Sequence, residues 1–384
     1  MRTLKTLVLA GLAAAVGGLL FAWSGLYSVA ATKEHFMPVE WFFEMAMRSS
    51  VRTHAYAVTP PDNLDDPAMI ERGAGHYEDG CAPCHGAPDA PRNPISRHMM
   101  PEPPYLPDEV AAWKPKELYW ITLHGIKYAG MPAWPAQRRD DEPWALTAFL
   151  LRLDRMGAEE YRRLAFGPVE GDEHSRVTEL NGPADETLRY CARCHGRDGN
   201  GRDSGAFPRL AGQSADYLYE SLRAYAAGTR YSGFMQPAAA GLDDGEMRAL
   251  AEHFAAQSPV QSPAAGTPGP GEGDEPLLEV GRTIAEDGDP SGGVPACSSC
   301  HGRDGNGAAH ARDPRYPSLD GQHAGYIEQQ LRLWRDGSRG DNALSRIMGA
   351  AARRLTDDQI RALSLYYANR PPVRATVEGV GRKS

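Results

Sequence analysis

Along the chain, apolar and polar positions alternate in three blocks of one kind, and a single run with no charge precedes them. That run extends from Thr6 to Thr32. A hydrocarbon core needs about 20 apolar residues, whereas the core of a secretory signal takes ~7–15. The stretch is therefore long enough to span, with Trp23 and Tyr27 placed as interfacial aromatics and Arg2 and Lys5 holding the N-terminus inside. Residues 1–32 are expected to be a retained anchor; the triplet Ser28-Val29-Ala30 leaves a cleaved signal as the alternative. Residues 33–61 follow, with an aromatic run containing Trp41, Phe42, Met45 and Met47. This run suits the membrane surface, an integral partner, or packing on the first block.

The blocks themselves predict helices. Apolar residues recur at helical spacing near the end of the first (Leu146, Phe149, Leu150, Leu153) and the third (Ile360, Leu363, Tyr366, Tyr367). Asp243, Asp244, Asp357 and Asp358 lie in or near the first turns of such closing segments, where the helix dipole favours negative charge. Shorter apolar segments, ERGAGHYEDG and LLEVGRTIAEDG, open the first and third blocks. Nothing alternates like a strand, so the expected class is all-α, with long loops that fit 41 glycines and 31 prolines. Blocks two and three correspond in detail: Pro208-Arg-Leu with Pro317-Ser-Leu, Gly212-Gln213 with Gly321-Gln322, and Tyr217-Leu218 with Tyr326-Ile327. The first block is more distant, offering Pro104-Tyr-Leu, KELYWITLHGIK, GMPAW and DEPWALTAFLLRL. Three tandem domains follow, over 62–165, 166–258 and 276–372, with a flexible Pro/Gly linker at 259–275 and a loose tail at 373–384.

Each block carries one Cys-x-x-Cys-His: Cys81, Cys84 and His85; Cys191, Cys194 and His195; Cys297, Cys300 and His301. Such a pair serves a zinc knuckle, a redox dithiol or the attachment of c-type haem. The histidine separates these uses. Histidine is 12 of 384 residues, so chance would place one after all three pairs roughly three times in 100,000. In a helical turn, positions i, i+3 and i+4 share a face, so two thiols and an imidazole address one object. Haem needs two thiols for its vinyl groups and an imidazole for its iron. Zinc would want a second ligand pair nearby, but the three pairs lie more than 100 residues apart and use all six cysteines. Three covalently bound haem c groups are expected.

The sixth ligand decides what such a haem does, since an open iron activates small molecules and a His/Met iron shuttles electrons. Met348 is the only methionine after His301. Met235 and Met131 precede their closing helices in the same way, each in an expected loop, whereas Met247 falls inside a closing helix and reads as core. The iron ligands are thus expected to be His85 with Met131, His195 with Met235, and His301 with Met348. Pro104, Pro208 and Pro317 follow the three histidines by 13 to 19 residues, where a carbonyl could accept the imidazole N–H; a rigid turn is the plainer reading. The other histidines, among them His76 and His323, read as surface or structural, with His124 a weak rival ligand.

These motifs resemble class I cytochromes c. CHGRDGNG, P-x-L-x-GQ and the methionine before L-x-D make about half of the chain similar to the periplasmic dihaem cytochromes of the c-four type, and the first block resembles a monohaem module of membrane-bound electron-transfer chains. The resemblance implies back-to-back haem domains that exchange electrons with membrane complexes, often terminal oxidases. The expected protein is a trihaem electron carrier of the bacterial inner membrane, facing the periplasm, with no catalytic residues of its own. Its expected partners are other cytochromes and an oxidase, a quinol-oxidising complex or a dehydrogenase such as one acting on alcohols. A haem enzyme such as a dihaem peroxidase is the rival from another class. A net charge of −9 argues against nucleic acid, which calls for a basic field.

Overall fold

The computed structural model describes residues 2–88, 90, 92–167, 183–202, 204–260, 274–302 and 313–372. Among these the fold is helical, and the only β pairings are isolated bridges. Helix α1 (Arg2–Trp23) has no buried residue and is long and apolar enough to cross a membrane. Helix α2 (Met37–His54) divides in two. Its end packs on the first unit through Val51, with Arg48 4.9 Å over the Trp113 ring and His54 5.6 Å from that of Trp120. Its start leaves Trp41, Phe42 and Phe43 exposed.

The first unit contains α3 (Pro67–His76), a π turn (Tyr77–Cys81), α4 (Ala82–His85), α5 (Leu106–Glu109), α6 (Pro115–His124), α7 (Asp141–Leu153) and α8 (Ala158–Phe166). Leu146, Phe149, Leu150 and Leu153 of α7 are all buried, as the helical period requires. They meet α3 at Gly73, where a Cβ would fall inside the Ala145 carbonyl and against Phe149. The third unit repeats this crossing. Its α13 (Glu275–Asp287) lies on α17 (Asp357–Asn369), and a Cβ on Gly281 would strike the Ala362 carbonyl and Tyr366. Between them lie α14 (Ser298–His301), α15 (Ala324–Arg335) and α16 (Ala343–Ala352). The second unit comprises α9 (Pro183–His195), α10 (Ala215–Ala226), α11 (Met235–Ala240) and α12 (Asp244–Ala256). Its core joins Leu218 of α10 to Met247, Leu250 and Phe254 of α12, so Met247 is a core residue.

Capping explains where the closing helices begin. Asp243 with Glu246, and Thr356 with Gln359, form reciprocal capping boxes at α12 and α17. One sequence expectation needs correction. Met235 and Met348 do not lie in loops: Met235 opens α11, and Met348 lies within α16, where Asn342 caps a segment rich in good helix formers. In the second unit α9 runs without a break through the Cys-x-x-Cys-His motif.

Units two and three pack together with reciprocal bonds. Gln213 accepts from the Ser318 N–H (2.9 Å) and donates to its carbonyl (2.8 Å). Gln322, its counterpart in the repeat, does the same with Arg209 (both 2.9 Å). Nearby, Tyr231 N–H reaches the Arg339 carbonyl (2.9 Å) and Asp341 N–H the Thr229 carbonyl (3.0 Å). The first unit docks on both neighbours. Arg202 donates to Glu71 (2.9 Å) and to the Leu164 carbonyl (2.6 Å), and Arg72 reaches Gln329 (3.0 Å), which donates to Asp141 (2.6 Å). Most of the expected linker at 259–275, and the tail at 373–384, lie outside the described residues.

Candidate haem sites

Each histidine of the repeated motif ends a helix and is followed by a glycine in the left-handed region: Gly86 (φ 78°), Gly196 (75°) and Gly302 (84°). Only glycine takes that conformation without strain, so the chain turns away directly after the imidazole. The turn brings a proline carbonyl under the ring. His85 Nδ1 lies 2.9 Å from the Pro104 oxygen, His195 Nδ1 3.2 Å from that of Pro208, and His301 Nδ1 2.9 Å from that of Pro317. A carbonyl can only accept, so Nδ1 carries the proton and Nε2 presents a lone pair. In the third unit that Nε2 is buried with no partner among the described residues. A buried nitrogen left this way is costly unless something else binds it, and iron is such a partner.

The same walls hold the thiols. Burial pushes the thiol of Cys81 up to about 12 and those of Cys191, Cys194 and Cys297 up to about 11. A redox dithiol needs a thiolate at neutral pH, so it fits poorly. Among the described residues no three His, Cys, Asp or Glu side chains gather as a metal-binding group.

All six cysteines, the three histidines, Met131, Met235 and Met348 line one continuous cavity of about 2860 Å³. A third of that, roughly 950 Å³, lies at the upper end of cofactor-sized sites. Met131 sits in a turn whose carbonyl accepts the Ile126 N–H (3.2 Å), Met235 has its N–H on Ser232 Oγ (3.1 Å), and Met348 packs on the core of its unit. His124 is exposed, packs at a tilt against Trp120 at 4.9 Å and does not line the cavity.

Two buried arginines were not anticipated from the sequence. Arg230 and Arg339 hold matching places in units two and three, both line the cavity, and both are buried. Their partners are neutral: Arg230 donates to Ser221 (2.7 Å) and Tyr326 (3.2 Å), and Arg339 donates to Gln330 (2.6 Å) and lies over Trp334. Buried cations call for anions, and haem propionates would supply them. The signal was the matched Gly-Thr-Arg and Gly-Ser-Arg after α10 and α15, whose burial the sequence does not reveal. His76 and His323 are also held in the interior, and burial lowers both to about 4.

Small helical units with paired thiols, an oriented imidazole and a methionine on one cavity wall define a c-type cytochrome that carries covalent haem c. The comparisons agree. The model of the cbb3-type cytochrome c oxidase subunit III family matches residues 68–150 and 183–254, and that of cytochrome c matches 280–369. A thiosulfate dehydrogenase electron acceptor from Stutzerimonas stutzeri is 37% identical over 49% of this chain and 82% of its own length. Cytochrome c4 from Azotobacter vinelandii is 36% identical over 46% of this chain and 82% of its own. Reduced recombinant cytochrome c4 from Pseudomonas stutzeri, a solved structure, is 30% identical over 50% of this chain and all of that one, with a TM-score of 0.42. The chain belongs to the c4 family of class I c-type cytochromes, extended here by a further haem-binding unit.

Proposed function

We propose that the chain is a membrane-anchored trihaem cytochrome c that relays single electrons between a periplasmic donor and a membrane oxidase. The observation that carries this reading is the threefold site: an imidazole fixed by a proline carbonyl, with a methionine on the same cavity wall. Bound haem supplies the reversible one-electron change of iron. The protein's own residues do the rest. His85, His195 and His301 would hold the iron with Met131, Met235 and Met348 as its further ligands, and the carbonyls of Pro104, Pro208 and Pro317 orient the imidazole rings. An iron held by both a histidine and a methionine would have no free position for a substrate, which supports the carrier reading over a haem enzyme.

Helix α1 is read as the anchor, and the exposed aromatic start of α2 as lying in the interface beside it. The match of units one and two to an oxidase-subunit model supports an oxidase as acceptor. A second reading has a specific support: relatives described as electron acceptors of thiosulfate dehydrogenase favour a dehydrogenase as donor. The two readings are compatible, with electrons entering at one partner and leaving at the other. Purification from membranes in mild detergent should retain the full-length chain together with oxidase subunits. A mature chain beginning near Ala31 in the soluble fraction contradicts the anchor, and co-purification with a dehydrogenase alone favours the second reading.

A further inference from the structure

One buried charge at the wall of the haem cavity ties two units together. Glu142 lies in the first turn of α7 and is 1% exposed. Its Oε2 accepts the Trp134 indole N–H (3.0 Å) and the Gly233 backbone N–H (2.6 Å). Its Oε1 accepts the Ser232 hydroxyl (2.6 Å) and lies 3.1 Å from Arg139 Nη2. Arg139 also donates to the Tyr231 carbonyl (2.6 Å) and is gripped on its other edge by Asp141. Trp134 and Arg139 belong to the first unit, and Tyr231, Ser232 and Gly233 to the second.

The position of these partners gives the carboxylate a use. Trp134 stands three residues after Met131, and Gly233 two residues before Met235. While donating to Glu142, Ser232 Oγ accepts the N–H groups of Phe234 (3.3 Å) and Met235 (3.1 Å). The first turn of α11 therefore hangs on a hydroxyl that Glu142 orients. No slack remains, because a Cβ on Gly233 would overlap the Trp134 indole. Burial pushes the Glu142 carboxyl up, opposed by the Arg139 guanidinium and by Ser232 and Gly233. Indole, amide and guanidinium donors cannot accept a proton in return, so the ionised form is the one that satisfies all of them. The methionine helix of the third unit is organised differently: Asn342 of the same unit caps it, accepting the Ser345 N–H (2.8 Å).

We propose that Glu142 is a shared positioning residue for the methionine segments of the first two haems. One carboxylate holds both, so these two irons keep or lose their thioether together while the third is independent. The inference rests on the reading of Met131 and Met235 as axial ligands.

The test uses the full-length holoprotein and the variant Glu142→Gln, in which an amide N–H₂ faces donors. The readouts are the thioether-to-iron charge-transfer absorbance, carbon monoxide binding to the reduced protein, and the three potentials. The expected result is loss of two thirds of the thioether signal, drawn equally from haems 1 and 2, with carbon monoxide binding at both. Adding Met348→Ala should then remove the remaining third. Ser232→Ala, a milder change in unit two, should shift the potential of haem 1 as well as haem 2. The proposal is overturned if Glu142→Gln keeps the full signal and unchanged potentials, if only one haem responds, if loss spreads equally over all three, or if Ser232→Ala leaves haem 1 unmoved. Wild-type protein lacking a thioether signal from haem 1 or haem 2 overturns the ligand reading instead.

Discussion

His76 shows how a single side chain ties the junction of the first two units to pH. Its ring packs at a tilt 4.6 Å from that of Trp134 and 4.7 Å from that of Phe234, across the boundary between units. Burial lowers it to about 4 from an ordinary value of 6.5. Between those values the unfolded chain holds a proton that the native ring refuses. Stability from this source is therefore complete above about pH 6.5 and is lost as pH falls toward 4, by at most about 3 kcal/mol. Denaturant unfolding followed at the first haem should show weaker stability at about pH 5 than at about pH 7. His76→Gln should flatten that difference, and an unchanged slope in the variant contradicts the assignment. At this scale the sequence was informative where chemistry is local. Two thiols, an imidazole and a proline 13 to 19 residues on announce a site because they are linked through one turn of chain. Glu142 was silent, since an acidic residue in a first helical turn ordinarily faces solvent as a dipole partner. Its role comes from Ser232 and Gly233, some 90 residues away.

Among the elements, the crossing of the opening and closing helices is the feature most sensitive to one atom. Gly73 in the first unit and Gly281 in the third let two backbones touch, each against a carbonyl and an aromatic side chain. Gly281→Ala forces α13 and α17 apart, an overpacking change that costs about 1–3 kcal/mol. Thermal unfolding monitored at the third haem should show a lower midpoint, with the first haem unaffected. A variant as stable as wild type would mean that the crossing tolerates separation. The closing helices were legible from their period, because Leu146, Phe149 and Ile360 repeat on one face and are buried there. The methionine segments were not. A lone methionine between two helices gives no periodic signal, and the residues whose side chains hold the starts of α11 and α16, Ser232 and Asn342, look like ordinary loop residues.

Across the whole molecule, the three units form one body in which haem cavities run together and polar side chains bridge every boundary. The repeat made the number of units readable, and Gln213 and Gln322 were visible as a matched pair. Their pairing across the boundary was not, because each bonds to backbone of the other unit more than 100 residues distant. The central claim is that three covalent haems, each closed by histidine and methionine, pass electrons without reacting with a substrate. Carbon monoxide titration of the reduced full-length protein, with haem content per chain determined in parallel, tests it most directly. The account predicts three haems, three thioether-ligated irons and no carbon monoxide binding. Stoichiometric binding at any one haem, or turnover of hydrogen peroxide, would contradict the carrier reading and favour a haem enzyme.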